Sequence, residues 1–181
     1  MLKIIKRISI FIVVIGVIGI ISNHIVINNE IKNEKKKVQE FFKENKKTIS
    51  KKNTNYIAVL KIPKIKLEQG LVEENSSLNN VNKHVTILEK SDAFVLAAHS
   101  GNSKVSYFKN LYKLKNGDIV YLYYNHFKYK YKIVKHYQKK KDGKLVLNSS
   151  HRNTLILTTC KPFSFNKQLV YIAKLERKAK Y

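Results

Sequence analysis

The hydrophobic pattern divides the chain into three parts. Residues 8–27 form an apolar stretch of 20 residues without a charged side chain, and a helix of that length matches the thickness of a hydrocarbon core, about 30 Å. Residues 28–55 are rich in Lys, Asn and Glu, and their apolar residues at positions 38, 41 and 42 share one helical face. We therefore predict a tip and membrane anchor over 1–27, a basic helical stalk over 28–55 and a folded domain over 56–181.

Short strands dominate the pattern of the folded domain. We predict strands over residues 56–60, 66–72, 94–99, 119–124, 128–133, 154–159 and 169–175. Within 128–133, Tyr and Ile alternate with Lys, which is typical of a strand with one buried face. Residues 105–114 predict a short helix with Phe108, Leu111 and Tyr112 facing inward. Many short strands with few helices favour a mainly β fold, a barrel or a sandwich.

The flanks of the apolar stretch indicate an uncleaved anchor. No small-residue cleavage site follows it, which disfavours a signal peptide. Lys3, Lys6 and Arg7 precede it, and basic residues favour the cytoplasmic side of a membrane. We expect a single-pass membrane protein with a cytoplasmic N-terminus and an extracellular domain, although basic residues also follow the stretch at 35–37.

Charge adds an expectation about partners. The chain has 36 Lys and Arg against 12 Asp and Glu, a net charge of +24, which favours an anionic neighbourhood. Only three of the basic residues are Arg, whereas proteins that read bases or grip phosphates favour Arg. We therefore expect the Lys faces at 128, 130 and 132 and at 139–141 to attract an anionic wall polymer, and we expect no nucleic-acid partner.

One cysteine and one histidine form the main chemical candidate. Cys160 is the only cysteine, so it is either an inert buried residue or a nucleophile that needs a base nearby. It closes the predicted strand at 154–159, and His99 closes the apolar run at 94–99 in the same way. Two strands that each end on half of a Cys/His pair point to acyl transfer.

Other chemistries find less support in the sequence. The remaining histidines lie in the anchor, in a hairpin turn or in Lys- and Asn-rich stretches. One cysteine with scattered histidines lacks the paired spacing of a zinc site, the acidic residues are scattered, and there are only six Gly and no phosphate-binding loop. We expect neither a metal nor a cofactor.

Four segments in this order carry a family resemblance. They are residues 60–65 (LKIPKI), 97–101 (AAHSG), 108–114 followed by 117–119 (GDI), and 157–160 (LTTC). With them, residues 56–175 resemble a sortase, the membrane-anchored cysteine transpeptidases of Gram-positive bacteria. The resemblance implies an eight-stranded β-barrel preceded by a transmembrane helix.

The resemblance also implies a two-step reaction. Cys160 would attack a peptide bond of a C-terminal sorting signal and form a thioester, and His99 would act as the acid and base. An amine from a cell-wall precursor or a pilin lysine would then take the acyl group. Ala98, Thr159 and Lys167 are the expected substrate-binding residues beside this pair.

One departure from the family pattern concerns an arginine. Sortases carry an arginine at the start of the strand after the cysteine, and here the matching residue is Gln168. Only the seven residues 161–167 separate Cys160 from it, so an antiparallel return should bring Gln168 beside the thiol. Either Gln168 or the cation of Lys167 replaces the arginine, or the chain is a catalytically weak or inactive sortase-like binding protein of the wall or pilus.

Overall fold

A computed structural model describes residues 2–44, 55–90, 93–142, 153–164 and 166–181. The chain forms two compact units, Met1–Lys36 and Lys37–Tyr181. A single α-helix, α1 (Leu2–Glu44), begins in the first unit and ends in the second. Within Arg7–Glu44, an 18-residue window has a mean hydropathy of 2.6 and is unburied, so the helix contains a candidate membrane span, as its length and composition predict.

The second unit is a nearly closed, eight-stranded barrel, which confirms the predicted mainly β fold. Its strands are β1 (Tyr56–Ile62), β2 (Leu67–Val72), β3 (Thr86–Glu89), β4 (Ala93–Ala97), β5 (Ile119–Tyr124), β6 (Phe127–Lys140), β7 (Thr154–Cys160) and β8 (Lys167–Lys180). They follow the order β2-β1-β5-β6-β8-β7-β4-β3. All neighbours are antiparallel except β4 and β7, which run parallel.

Strand alternation sorts the side chains into an inner core and outer clusters. Leu155 and Leu157 of β7 lie in the main core, together with Leu169 of β8. The residues that alternate with these leucines, Ile156 of β7 and Val170 of β8, point to the opposite face and pack together. Each strand therefore carries one set of residues for the barrel interior and another for its outer surface.

The end of α1 packs on a second outer cluster. Val38 and Phe41 are buried against Tyr56 and Val59 of β1, and the rings of Phe42 and Tyr123 form a T-shaped, edge-to-face contact with 4.9 Å between centroids. These are the apolar residues that predicted a helical stalk. The helix reaches Glu44, and residues 45–54 of the predicted stalk lie outside the described part of the chain.

The helix predicted over residues 105–114 is wrong. The segment forms successive turns, each closed by a backbone hydrogen bond between residues three positions apart, with a 3₁₀ turn at Leu111–Lys113. The Ser106 hydroxyl accepts the Ser103 N–H at 3.1 Å, and such local side-chain bonds compete with a helix. Phe108 and Leu111 are buried as predicted, but Tyr112 is 53% exposed.

Candidate active site

The parallel pairing of β4 with β7 brings the predicted Cys/His pair to one edge of the barrel. Ala97, the last residue of β4, lies opposite Thr158 of β7. Cys160 is the last residue of β7 and His99 lies two residues beyond the end of β4, so the two are at the same level along the parallel strands. The Ala98 N–H donates to the Thr158 carbonyl at 3.4 Å. The ends of these two parallel strands therefore lie at one edge of the sheet, and both predicted reactive residues lie at that edge.

Three predicted site residues share one face of the sheet. Side chains alternate along a strand, so Cys160 lies on the face of Ile156 and Gln168 on the face of Val170. The alternation of β4, continued past Ala97, puts His99 on the face of Val95. Ile156, Val170 and Val95 form one outer cluster. Gln168 is the direct register partner of Cys160. The short return after the cysteine therefore puts the amide beside the thiol, as expected from its length.

Cys160 and His99 are both partly exposed, and hydrogen bonds to the neighbouring backbone hold each of them in position. Cys160 is a free thiol, and it follows Thr159, whose Oγ1 donates to the Ala98 carbonyl at 2.6 Å. The His99 carbonyl accepts the N–H of Phe108 at 3.0 Å. These bonds fix the backbone on both sides of the gap between the two strand ends.

The three residues predicted to bind substrate occupy different environments. Ala98 and Thr159 are 5% exposed and share a hydrogen bond. This bond joins the ends of the two strands. Lys167 is exposed at the start of β8, and its carbonyl accepts the Lys161 N–H at 2.9 Å. Their part in substrate binding stays a prediction.

Asn82 is a neighbour of the site that the sequence did not reveal. Its Oδ1 lies 3.0 Å from His99 Nε2, although the two residues are 17 positions apart. Asn82 sits in an Asn-rich loop without periodicity, and an amide in such a loop gives no signal of its own.

A cleft of about 1240 Å³ adjoins the site. It begins where the site ends, because Ser100 follows His99 and Lys161 follows Cys160, and both line it. The remaining wall is mostly aromatic and amide, including Tyr112 and Tyr137. At its rim the Phe163 ring is fully exposed on a backbone with φ of +58°, a conformation that is uncommon for a bulky residue.

The described residues of the second unit place no arginine at this site. Arg177 lies on β8 opposite Lys130, nine residues beyond Gln168 and thus roughly 30 Å away along the strand. Arg7 belongs to the other compact unit, and Arg152 lies outside the described ranges. Within those ranges no three His, Cys, Asp or Glu side chains gather as a metal site.

Comparison with known proteins gives this geometry a family. The Sortase domain model matches residues 60–176, while a search of curated proteins finds no match. The chain is similar in structure to the Sortase D5 transpeptidase of Clostridium perfringens, with 25% identity, a TM-score of 0.59 and coverage of 80% of this chain and 98% of that one.

Two further structures show the same fold. Sortase C1 of Streptococcus suis has 25% identity and a TM-score of 0.57, with coverage of 68% of this chain and 74% of that one. Sortase A of Listeria monocytogenes has 19% identity and a TM-score of 0.56, with coverage of 70% and 91%. Since the family model spans most of the barrel and both strand ends of the site, the chain belongs to the sortase family.

Proposed function

We propose that the chain is an active cysteine transpeptidase that cleaves a sorting signal and transfers the acyl part to an amine. The observation that carries this proposal is the common edge of β4 and β7, where Cys160 ends β7 and His99, just beyond the end of β4, lies at the same level. A thiol and an imidazole on adjacent strand ends are the two groups that nucleophilic acyl transfer requires.

In the first step, the Cys160 thiolate attacks the carbonyl carbon of the scissile peptide bond. The carbonyl oxygen becomes an oxyanion, and the N–H of the Gln168 amide donates to it. The C–N bond then breaks, and the departing amine takes a proton from the His99 imidazolium. The products are a thioester on Cys160, neutral imidazole and the released C-terminal fragment.

In the second step, the amine of an acceptor attacks the thioester. His99 takes a proton from the attacking nitrogen, the C–S bond breaks, and Cys160 leaves as the thiolate. The new amide bond joins the sorted protein to a cell-wall precursor or a pilin lysine. The cycle returns both catalytic groups to their starting protonation states.

Acylation of Cys160 is the direct test. The full chain in detergent micelles is incubated with a library of sorting-signal peptides, and intact mass spectrometry measures a thioester adduct. We expect an adduct on the wild type and none on Cys160→Ala, since this is the only thiol in the chain. A folded wild-type protein that is never acylated would contradict the proposal.

A second function is favoured by the neutral residue at position 168. Loss of the arginine's charge weakens oxyanion stabilisation, which suits a sortase-like barrel that binds wall or pilus proteins without turnover. Peptide binding by fluorescence anisotropy, without a thioester and unchanged in Cys160→Ala, would support this binding function in place of catalysis.

The proposal also requires the barrel to lie outside the cell. With the N-terminus cytoplasmic and α1 as the anchor, protease added to intact protoplasts should remove the barrel. A barrel that stays protected until the membrane is opened would place it in the cytoplasm and rule out a role in wall sorting.

A further inference from the structure

We propose that Asn82 is a positioning residue of the active site, which holds the His99 imidazole through its amide oxygen. The inference rests on the proposed transpeptidase function. Asn82 Oδ1 lies 3.0 Å from His99 Nε2. Because a carbonyl oxygen only accepts, the facing ring nitrogen carries a proton, and Nδ1 is left to exchange protons in the reaction.

The turn that presents Asn82 is built by local hydrogen bonds. Asn80 Oδ1 accepts the Asn82 N–H at 2.9 Å, and the Asn80 carbonyl accepts the N–H groups of Lys83 and His84 at 2.8 and 2.9 Å. From the far side, the Tyr107 hydroxyl donates to the Lys83 carbonyl at 3.2 Å. The backbone on both sides of Asn82 is therefore held before any substrate arrives.

The two partners of the Asn82–His99 bond flank the β3–β4 hairpin, Asn82 before β3 and His99 after β4. Asn79 Nδ2 donates to the Ile87 carbonyl of β3, and Asn79 Oδ1 accepts the Ile87 N–H, both at 2.8 Å. Ile87 pairs with Leu96 of β4, and His99 follows three residues later. The loop with Asn82 is thus tied to the hairpin that precedes His99, which sets the distance between the two side chains.

The chemical consequence concerns the charged form of the imidazole. The acceptor stabilises a donor nitrogen most when the ring is cationic, because hydrogen bonds to charged groups are the stronger ones. An imidazolium is needed both beside the thiolate and for protonation of the departing amine. Asn82 therefore favours the protonation state that acylation requires and fixes the ring orientation.

Neighbouring elements carry other titratable groups around His99. They are Cys160 on β7, Lys83 in the turn, Tyr107 in the segment after His99, and Lys167 at the start of β8. Substitution of Asn82 leaves all of them in place. Asn82 is exposed, so its replacement should leave the melting temperature unchanged.

The test follows Cys160 reactivity against pH in the full chain, in detergent, with two readouts. One is the acylation rate with a peptide, and the other is alkylation by iodoacetamide, which needs no peptide. In Asn82→Ala we expect acylation to fall roughly 10- to 100-fold, and the alkaline limb of both profiles to move about one unit toward lower pH. The imidazolium without its acceptor loses its proton earlier.

Two variants control this result. Asn82→Asp keeps an acceptor and adds a negative charge, so it should move the alkaline limb toward higher pH. Ser77→Ala removes an exposed, uncharged side chain from the loop before β3, so its profile should match the wild type.

The outcomes separate this inference from the proposed function. If the wild type is never acylated but the alkylation profile shifts as described, the transpeptidase function fails and the role of Asn82 toward His99 stands. If Asn82→Ala leaves both limbs at the wild-type pH, the positioning role is wrong, even where the rate falls.

Discussion

At the residue scale, the proposed acylation depends on the neutral amide of Gln168, which we expect to stabilise the oxyanion. It lies opposite Cys160 across β7 and β8, and its side chain is partly exposed. An amide can donate to an oxyanion and accept from a peptide N–H at once, whereas a guanidinium only donates. We therefore expect an amide at this position to stabilise an oxyanion less strongly than an arginine and to allow more hydrogen-bond arrangements.

We expect Gln168→Ala to lower the acylation rate by roughly 10- to 1000-fold, the range for loss of one oxyanion donor. Gln168→Arg should keep or raise the rate, because it adds charge at the same position. The measurement is single-turnover acylation by mass spectrometry.

Lys167→Ala is the matched control for Gln168, since it changes the preceding residue on the same strand. If Lys167→Ala abolishes acylation while Gln168→Ala has no effect, the cation at 167 is the helper. If neither variant changes an active enzyme, the helper lies elsewhere and the pairing of Gln168 with the family arginine is wrong.

Tyr131 gives a prediction about stability against pH. Burial raises the pKa of this phenol from 10.0 to about 12, with a smaller contribution from Tyr129. The unfolded chain therefore loses the proton first, so the free energy of unfolding should be unaffected below pH 10 and fall between pH 10 and 12, by ~2–3 kcal/mol at most. Tyr131→Phe should reduce this fall.

Denaturant unfolding of the wild type and of Tyr131→Phe at several pH values measures that difference. Tyr112→Phe is the control, since its ring is 53% exposed and should leave the alkaline slope unchanged. Identical alkaline slopes for all three proteins would show that the Tyr131 phenol ionises equally well in the folded state.

At the element scale, periodicity predicted most strands, and tertiary context determined the rest. The Tyr and Lys alternation of β6 is strong enough to place the strand, but the strand extends to Lys140 through a register shift after Ile133. β3 went unpredicted because it has only four residues, too few for a period of two to stand out.

The predictability of the site follows the same division. Cys160 and Gln168 were predictable as neighbours because only a short return joins their strands. The level alignment of His99 with Cys160 depends on a parallel pairing across 61 residues, which sequence suggested only through matched strand endings. The Asn82 contact depends on a loop with no periodic pattern, so only the folded chain reveals it.

The end of α1 contributes packing that can be measured. Phe41 is 2% exposed against the outer face of β1, so Phe41→Ala should lower the free energy of unfolding by about 3–5 kcal/mol. Thermal unfolding followed by circular dichroism checks it. Gln39→Ala, exposed on the same helix, should leave the transition unchanged, and an equal effect of both variants would exclude a packing role for Phe41.

At the scale of the whole molecule, lysines gather on the outer face of β6. Lys128, Lys130 and Lys132 alternate with the inward residues, and Glu176 pairs with the second and third of them at 2.9 and 3.4 Å. Lys128 instead lies 4.5 Å from the centre of the Tyr121 ring. One carboxylate among three cations leaves this face positive, which suits a linear polyanion.

We expect replacement of these three lysines by Gln to weaken binding of an anionic wall polymer and to lower its salt dependence. The slope of log K against log salt should fall by about two, at roughly 0.7 per phosphate contact. The control replaces three lysines on the far side of β5, Lys61, Lys64 and Lys66. Equal slopes for both variants, or salt-resistant, sequence-selective nucleic-acid binding, would contradict this.

The strand order has a consequence for how the enzyme comes into being. β7 and β8 are the last strands of the chain, yet they lie in the middle of the sheet and join β6 to β4. Until they arrive, the earlier strands form two separate sheets, and His99 has no cysteine beside it. Closing contacts across so many residues is slow, so the thiol is synthesised late and gains its partner only when the barrel closes. An emerging chain therefore carries a cysteine without a histidine neighbour, and we expect acylation of that thiol by a peptide to report that the barrel has closed.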